Sequence, residues 1–143
     1  MLDVKIVDMQ KKYMNQVVVL LQEISVYYPD SKDYETIWSD FARQENTFGV
    51  VALINEEVVG YGAVIIETKI RGGKLGHIED IVSKPNMQKK GIGKLIMQSL
   101  YEISRERECY KLSLHCRNEN VGFYKKCGYD DKAAGMHLSL IHI

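Results

Sequence analysis

A strand-to-helix turn, Gln88-Lys89-Lys90-Gly91-Ile92-Gly93-Lys94, is the most informative stretch of the chain. It follows a predicted strand over residues 78–83 and opens a predicted helix over residues 91–107. Its two glycines remove Cβ atoms where the backbone must curl and approach a ligand. The free N–H groups at the start of the helix then favour an anion. The glycine spacing fits neither GxxxxGK[ST] nor GxGxxG, so the turn is neither a P-loop nor a dinucleotide-binding turn.

The charge of this turn also favours an anionic ligand. Lys89, Lys90 and Lys94 stand at the end of the helix where cations oppose the helix dipole. An anionic partner seated between the lysines and the backbone would remove that conflict. A glycine-marked turn with a solvated lysine face fits the same spacing, so the residues alone leave both interpretations open.

Hydrophobic periodicity predicts two helices before the turn. The first is capped by Asp8 and ended by Pro29, and the second is capped by Ser31. The apolar face of the second helix is formed by Tyr34, Ile37, Trp38 and Phe41. Three strands follow, the first two joined by a polar hairpin turn, over residues 48–54, 58–67 and 76–83.

The second half of the chain alternates between helices and strands. After the helix over residues 91–107 we predict a strand over residues 111–116 and a short helix over residues 120–126, with Gly128 just past its end. Alternating apolar residues predict a last strand over residues 136–143. This order of elements predicts a mixed α/β fold, with residues 1–143 as a single domain.

Composition limits the classes of function. The 143 residues carry 19 Lys and Arg against 19 Asp and Glu, so no broad basic surface for nucleic acid is expected. No apolar stretch approaches the ~20 residues that span a bilayer, and the first residues lack a signal core. The three cysteines form no CxxC pair, which indicates reduced thiols, a cytoplasmic protein and no metal site.

The turn resembles the pyrophosphate-binding signature of the GNAT superfamily of N-acetyltransferases: Arg or Gln, two residues, Gly, one residue, then Gly or Ala. Three further segments narrow the resemblance to the GNAT enzymes that acetylate glucosamine 6-phosphate: residues 76–82, 109–112 and 120–129. The similarity is gap-poor from about residue 64 to residue 129. It implies the GNAT fold, a central and mostly antiparallel sheet with splayed parallel strands, flanked by helices.

The resemblance also implies an activity. These enzymes transfer an acetyl group from acetyl-CoA, a cosubstrate, to the amine of glucosamine 6-phosphate, a step towards UDP-N-acetylglucosamine. They are homodimers whose substrate sites form partly across the interface. Acetylation of another small amine or of a protein lysine, and a non-catalytic CoA-binding module, are the alternatives that stay open.

Acetyl transfer to an amine needs a neutral amine held close, a stabilised thioester oxygen and a proton for the departing thiolate. The resemblance assigns the proton donor to Tyr124, for which core packing is the alternative. It places Glu79 and Asp80 at the substrate amine. Because they are consecutive in a predicted strand, their side chains are expected on opposite faces. His115 and Cys116 are expected to diverge for the same reason, so direct attack by the amine is predicted.

The remaining site residues are also taken from the resemblance. The strand edge offers backbone N–H groups to the thioester oxygen and the pantetheine arm, since unpaired edges seek a partner. The cofactor contacts are therefore expected at Ile81, Val82, Ser83, Gln88, Lys89, Lys90, Gly91, Ile92, Gly93, Lys94, Asn120 and Tyr124. The substrate contacts are expected at Ser25, Lys69, Ile70, Arg71, Gly72, Glu79, Asp80 and His115.

Two departures from the family pattern concern the acceptor. His115 stands where the family has an acidic residue that touches the sugar. The family also brings a C-terminal arginine to the phosphate, whereas no Lys or Arg follows Lys132 here, which leaves His137 and His142. Lys69 and Arg71 are the candidates for the phosphate; a solvated basic loop is the alternative.

Overall fold

The computed structural model of the chain describes residues 3–140. Five strands form one sheet, in the order β1 (Lys5–Asp8), β2 (Thr47–Ile54), β3 (Glu57–Thr68), β4 (Lys74–Ser83) and β5 (Lys111–Ser113). Neighbouring strands are antiparallel except for β4 and β5, which are parallel. The predicted mixed α/β fold with a mostly antiparallel sheet is confirmed.

Helices flank the sheet: α1 (Met14–Leu21), α2 (Tyr34–Ala42), α3 (Ile92–Glu106) and α4 (Val121–Lys126). Alternate residues of β2 separate two hydrophobic clusters, because successive side chains of a strand point to opposite faces. Val50 and Ala52 pack with α3, whereas Val51 and Leu53 pack with α1. Burial of both faces explains why the central strands are continuous apolar runs rather than alternating ones.

The hairpin between β2 and β3 follows the prediction. Asn55 and Glu56 form a two-residue turn in which both φ angles are positive, 50° and 66°. Two positive φ angles are the geometry of a type I′ turn, whose twist matches that of the flanking strands. Gly128, with φ 97°, also lies just past the end of α4, as predicted.

The prediction was wrong at the beginning of the chain. Asp8 is the last residue of β1, a strand that the sequence did not predict, and so it does not cap a helix. The first helical residues are the 3₁₀ turn Lys11–Tyr13, which leads into α1. A four-residue strand is too short to give a clear alternation, and β1 exists because it pairs with β2 along its full length. Pairing with another strand, rather than local sequence, determines that such a short segment forms a strand.

The connection between α1 and α2 also differs. α1 ends at Leu21, eight residues before Pro29, and an irregular arm fills the gap. The 3₁₀ turn before α2 is capped by Asp30, whose side chain accepts a hydrogen bond from the backbone N–H of Lys32. Ser31 therefore lies inside the turn rather than at its cap.

The C-terminal strand is the clearest error. Residues 136–140 form no strand, and residues 141–143 of that prediction lie outside the described part of the chain. β5 is also three residues long rather than six. The side chains of Met136, Leu138 and Leu140 are exposed. The alternating pattern therefore marks an apolar segment that finds no partner strand in the single chain.

Candidate active site

The sheet opens between its two parallel strands. β5 pairs with β4 only from Leu75 to His77, although β4 continues to Ser83. From residue 78 onward, the β5-facing edge of β4 has no neighbouring strand among residues 3–140. This edge includes the predicted cofactor residues Ile81, Val82 and Ser83. Unpaired backbone groups on such an edge can accept an extended ligand as an added strand.

A β-bulge lies in the middle of this edge. Val82 pairs with Tyr61 and Glu79 pairs with Ala63, so Asp80 and Ile81 together face the single residue Gly62. Asp80 has a φ of 57°, in the left-handed region that Asp and Asn tolerate better than most residues. A bulge re-aims a side chain. Strict alternation, on which the expected directions of Glu79 and Asp80 depend, therefore does not hold at this point.

Asp80 lines a cavity of about 450 Å³ between α1, α2 and the bulge. We call it the aromatic cavity; its lining is Met9, Met14, Val17, Val18, Leu21, Gln22, Ile24, Ser25, Tyr27, Pro29, Ile37, Trp38, Phe41, Tyr61 and Asp80. Ser25 and Asp80, both predicted to contact the substrate, are thus brought together. Glu79 and Asp80 are both exposed residues, but Glu79 does not line this cavity, so the two carboxylates are not paired there.

The wall of the aromatic cavity was missed by the sequence analysis. The rings of Trp38 and Phe41 stack with centroids 5.9 Å apart. Ile37, Trp38 and Phe41 were read as a packing face of a helix, but they are only half-buried, and α2 contains no fully buried residue. One signal could have revealed this wall: α2 is an amphipathic helix whose apolar face is not covered by the core.

Burial controls the titration of the polar groups in the cavity. Partial burial raises the pKa of the Asp80 carboxyl above its ordinary value. Burial, and to a smaller extent the Asp80 carboxylate, raises the pKa of the Tyr61 phenol. Tyr61 therefore stays protonated at neutral pH and offers an O–H donor, and Asp80 is the acidic residue of a mostly apolar lining.

Side-chain hydrogen bonds hold the arm between α1 and α2 in place. The Gln22 side-chain amide donates to the carbonyl oxygens of Val18 and Tyr27, both at 2.8 Å, and accepts from the N–H of Tyr27 at 2.7 Å. Arg117 Nη2 donates to the carbonyl oxygen of Ile24 at 2.8 Å. The mouth of the aromatic cavity is thus formed by an anchored arm.

The turn at the start of α3 has the geometry of an anion site. Lys89 and Gly91 have φ angles of 64° and 85°, which curl the chain before the helix. The first helical hydrogen bond runs from Leu95 N to Gly91 O. It leaves the N–H groups of residues 92–94 without a helical acceptor. Residues 88–90 and Lys94 are exposed, whereas the Ile92 side chain is in the core, so Ile92 can contact a cofactor only through its backbone.

One close contact joins this turn to α4. A Cβ at Gly93 would lie 3.1 Å from the Phe123 ring, which explains the second glycine of the turn. The Phe123 ring in turn meets the Tyr124 ring edge-on, with centroids 4.9 Å apart. The predicted pyrophosphate turn and the predicted proton donor are therefore connected through a single ring.

Tyr124 is half-buried on α4. Burial, with smaller contributions from Cys116 and Cys127, raises its pKa to about 12. The phenol is therefore protonated at neutral pH and can act as a proton donor. Tyr124 and His115 line a separate cavity of about 270 Å³ between β5 and residues 129–134. Asn120 is exposed at the start of α4 and makes no side-chain cap hydrogen bond.

The basic loop lies elsewhere. Lys69, Ile70 and Arg71 line a third cavity, of about 550 Å³, at the β3–β4 connection, where Gly72 has a φ of 96°. Lys74, the first residue of β4 after this loop, and Asp80 are six residues apart along the strand, or about 20 Å at ~3.3 Å per residue. A single chain therefore does not bring these cations to the bulge.

The two candidate phosphate ligands of this loop differ in their partners. Lys69 is paired with Glu67 at 2.8 Å, and Glu67 also contacts His77 at 2.7 Å. These hydrogen bonds, from Lys69 first and His77 second, lower the pKa of Glu67. Arg71 makes no ion pair with any residue in the range 3–140. Arg71 is thus the more available cation.

Within residues 3–140, no group of three or more His, Cys, Asp or Glu side chains could hold a metal ion. In the same range, no helix combines the length and the apolar character that crossing a bilayer requires.

Comparison with known proteins gives consistent matches. The model of the acetyltransferase (GNAT) family matches residues 14–129. Glucosamine 6-phosphate N-acetyltransferase of Candida albicans is 34% identical over 134 residues, which cover 92% of this chain and 89% of that protein. The solved structure of glucosamine-6-phosphate N-acetyltransferase from Arabidopsis thaliana has a TM-score of 0.88 at 26% identity, covering 97% of this chain and 99% of that one. An acetyltransferase structure from Trypanosoma brucei also gives 0.88, at 27% identity, covering 96% and 100%.

Proposed function

We propose, since the chain belongs to the acetyltransferase (GNAT) family, that it transfers the acetyl group of acetyl-CoA to the amine of glucosamine 6-phosphate. The observation that carries the reaction type is the open edge of β4, which leads within ten residues into the lysine-rich turn of α3. The choice of acceptor is supported by the similarity to the C. albicans enzyme over nearly the whole chain. The product, N-acetylglucosamine 6-phosphate, leads towards UDP-N-acetylglucosamine.

Acetyl-CoA supplies an activated thioester, and the chain supplies binding and orientation. The free N–H groups at the start of α3, with Lys89, Lys90 and Lys94, fit a pyrophosphate. Gln88 and Asn120 are exposed amides that are proposed to add hydrogen bonds to the cofactor. Backbone groups of residues 81–83 fit the pantetheine arm and the thioester oxygen, because fixed N–H donors stabilise an oxyanion without reorganisation.

Proton transfers are assigned to three side chains. The amine nitrogen attacks the thioester carbon, the C–N bond forms and the C–S bond breaks. Asp80 holds the incoming ammonium and receives its proton through water, with Glu79 nearby on the same strand. Tyr124 gives its proton to the departing thiolate. Its raised pKa keeps the phenol protonated at neutral pH, as a donor requires, and also makes it a weaker acid, so the transfer depends on a thiolate that forms directly beside it.

The sugar phosphate is proposed to be bound between two copies of the chain. Ser25 and Asp80 stand on one side, while Arg71 and Lys69 lie at the far end of β4, beyond the reach of one ligand in one chain. A homodimer that brings the basic loop of one copy to the bulge of the other would complete the site. Apolar side chains that the single chain leaves exposed support such an interface: Met136, Leu138 and Leu140.

Two further assignments belong to this proposal. Residues 1–143 act as one domain, which agrees with the family match over residues 14–129. The protein works in the cytoplasm, which agrees with three free cysteines at positions 109, 116 and 127.

Release of CoA thiol tests the proposal. We expect release with acetyl-CoA plus glucosamine 6-phosphate, and about tenfold less at the same concentration of glucosamine, which lacks the phosphate. A polyamine, an aminoglycoside and a lysine peptide complete the panel. Faster release with any of these would contradict the acceptor assignment. CoA binding without release, in a folded protein, would instead identify a non-catalytic module.

A further inference from the structure

We propose that the aromatic cavity binds a second class of acceptor, a primary amine that carries an apolar alkyl or aryl group. The inference rests on the acetyl-transfer part of the proposed function but not on the sugar phosphate. It names a ligand class for the apolar wall of this cavity, which the glucosamine 6-phosphate assignment does not use.

The charges in the cavity select a cation. Among the described residues that line it, Asp80 is the one that carries a formal charge, and no Lys or Arg lines it. Within one copy of the chain, a phosphate buried among these residues would be desolvated without a counter-ion, which is costly; the cations of the proposed dimer would meet a phosphate outside the cavity. An ammonium group, by contrast, would meet the Asp80 carboxylate and the faces of neighbouring aromatic rings, both of which attract cations.

The walls select an apolar substituent. Trp38 and Phe41 offer stacked rings, and Ile37 and Met14 offer aliphatic surface. These α2 side chains are only half-buried, so a ligand that covers them gains apolar burial that the fold itself leaves incomplete. A volume of about 450 Å³ is in the usual range for small-molecule pockets. A sugar phosphate would leave these apolar side chains uncovered.

The cavity is built rather than incidental. Gln22 makes three hydrogen bonds that fix the arm at the mouth, and Arg117 ties the arm to the segment before α4. Tyr27, which follows on this arm, is exposed beside the opening. A ligand therefore meets a preformed mouth and loses less conformational entropy on binding.

The cavity also adjoins the proposed reaction centre. Asp80 immediately precedes the edge residues 81–83, and consecutive Cα atoms are only about 3.8 Å apart. An ammonium held by Asp80 would lose one proton through water, and the neutral amine would attack the thioester carbon. The C–N bond would form, the C–S bond would break, and the thiolate would take the proton of Tyr124. The second proton of the amine nitrogen would return to the Tyr124 phenol through water, so the reaction balances as amide, CoA thiol and one released proton.

Binding can be measured without activity, because Trp38 is the single tryptophan of the chain and lies in the cavity wall. The probe is 2-phenylethylamine, titrated into the full chain while tryptophan emission is followed. Two matched compounds control for each half of the ligand: 2-phenylethanol lacks the charge, and ethanolamine lacks the apolar group. We expect a saturable change with 2-phenylethylamine at lower concentration than with either control.

Two variants test the two halves of the site, the apolar wall and the carboxylate, and a third variant is the control. Ile37→Lys places a cation in the wall and is expected to weaken 2-phenylethylamine binding about tenfold or more. Val19→Lys adds the same charge on α1 at an exposed position outside the cavity and should leave binding unchanged. Asp80→Asn should weaken binding of 2-phenylethylamine but not of 2-phenylethanol. Because Asn also tolerates positive φ, the Asp80→Asn variant keeps the bulge intact.

Acetylation of 2-phenylethylamine and of glucosamine 6-phosphate is measured by mass spectrometry on the same samples. Formation of N-acetyl-2-phenylethylamine, lost in Ile37→Lys and retained in Val19→Lys, is the expected result. No saturable emission change up to about 10 mM, well above usual KM values, would overturn the proposal whether or not the sugar phosphate is acetylated. Binding without acetylation, in a protein that does acetylate glucosamine 6-phosphate, would overturn the acceptor role. Acetylation of 2-phenylethylamine but not of the sugar phosphate would support this inference and contradict the proposed sugar substrate.

Discussion

The turn at the start of α3 and the aromatic cavity recognise ligands by opposite means. The turn is seven consecutive residues, of which 88–91 and 94 are exposed, and it is positively charged and offers backbone N–H groups. The cavity is assembled from side chains between Met9 and Asp80, and its surface is apolar with a single carboxylate. A donor site built from the main chain tolerates side-chain changes outside its glycines. An acceptor site built from side chains can change its ligand by single substitutions.

This contrast predicts which kinetic parameter responds to each substitution. Changes in the turn should alter acetyl-CoA binding, and changes around the cavity should alter the acceptor. Tyr124 belongs to neither class, because its proton is needed only when the C–S bond breaks.

The largest effect is expected for Tyr124→Phe. Loss of the proton donor should lower kcat about 100-fold while the KM values for both substrates stay nearly unchanged, since the donor acts in the transition state. Steady-state kinetics with glucosamine 6-phosphate would measure this. Tyr129→Phe is the matched control, because Tyr129 is an adjacent, half-buried phenol whose ring contacts Tyr124. An equal kcat in Tyr124→Phe and wild type would show that Tyr124 has a packing role and is not the proton donor.

A smaller effect is expected for Gly91→Val, which tests the donor side alone. Gly91 has a φ of 85°, where a β-branched residue is strained, so the turn should lose its anion-binding shape. We expect the Kd of CoA to rise about tenfold, measured by calorimetry. Gly122→Ala is the control, since a Cβ there meets nothing within 4 Å and favours the helix. Unchanged CoA affinity in Gly91→Val would contradict the assignment of the turn.

Gln22→Ala tests the acceptor side and should have a more modest effect. Removal of the three hydrogen bonds of this side chain frees the arm at the mouth of the aromatic cavity. We expect the KM of the acceptor to rise about threefold, while the Kd of CoA does not change. Glu23→Ala, an exposed neighbour, serves as the control. Equal loss of donor and acceptor affinity would show that the two regions are not independent.

The smallest effect concerns stability. Burial raises the pKa of Asp80 in the folded chain above its ordinary value of 3.8. The stability that this group contributes is therefore fully present below its unfolded pKa and is lost as the pH rises through its folded pKa. Asp80→Asn should raise the Tm slightly relative to wild type at pH 7, by about a degree or two. At about pH 3 this difference should vanish. A lower Tm for the variant at pH 7 would mean that a partner stabilises the ionised carboxylate.

The same contrast explains what the sequence could predict. The turn at residues 88–94 and the strand before it were identifiable because their function depends on neighbouring residues and on glycines with defined roles. The aromatic cavity was not, because the apolar face of α2 has the same pattern whether it lies on a core or lines an opening. Trp38 and Phe41 become a binding wall only once their distance from the core is known.

Pairing between distant residues accounts for the other differences. The bulge at Asp80 depends on Gly62, a pairing partner eighteen residues away, and no local sequence pattern predicts it. β1 exists through β2, while the alternating residues 136–140 form no strand in one chain. Conversely, the hairpin between β2 and β3 was predicted because a polar turn between two β-branched runs is a local pattern, although the turn has two residues, Asn55 and Glu56, rather than the predicted 55–57.

The contact between Phe123 and Gly93 has a thermodynamic consequence. α4 is only six residues long, too short to be a stable helix in isolation, so its order depends on such contacts. A ligand that fixes the turn therefore also favours the ordered form of α4 and, with it, the position of Tyr124. By linkage, an ordered α4 must increase the affinity of the turn by the same factor. CoA binding should accordingly slow amide hydrogen exchange in residues 121–126.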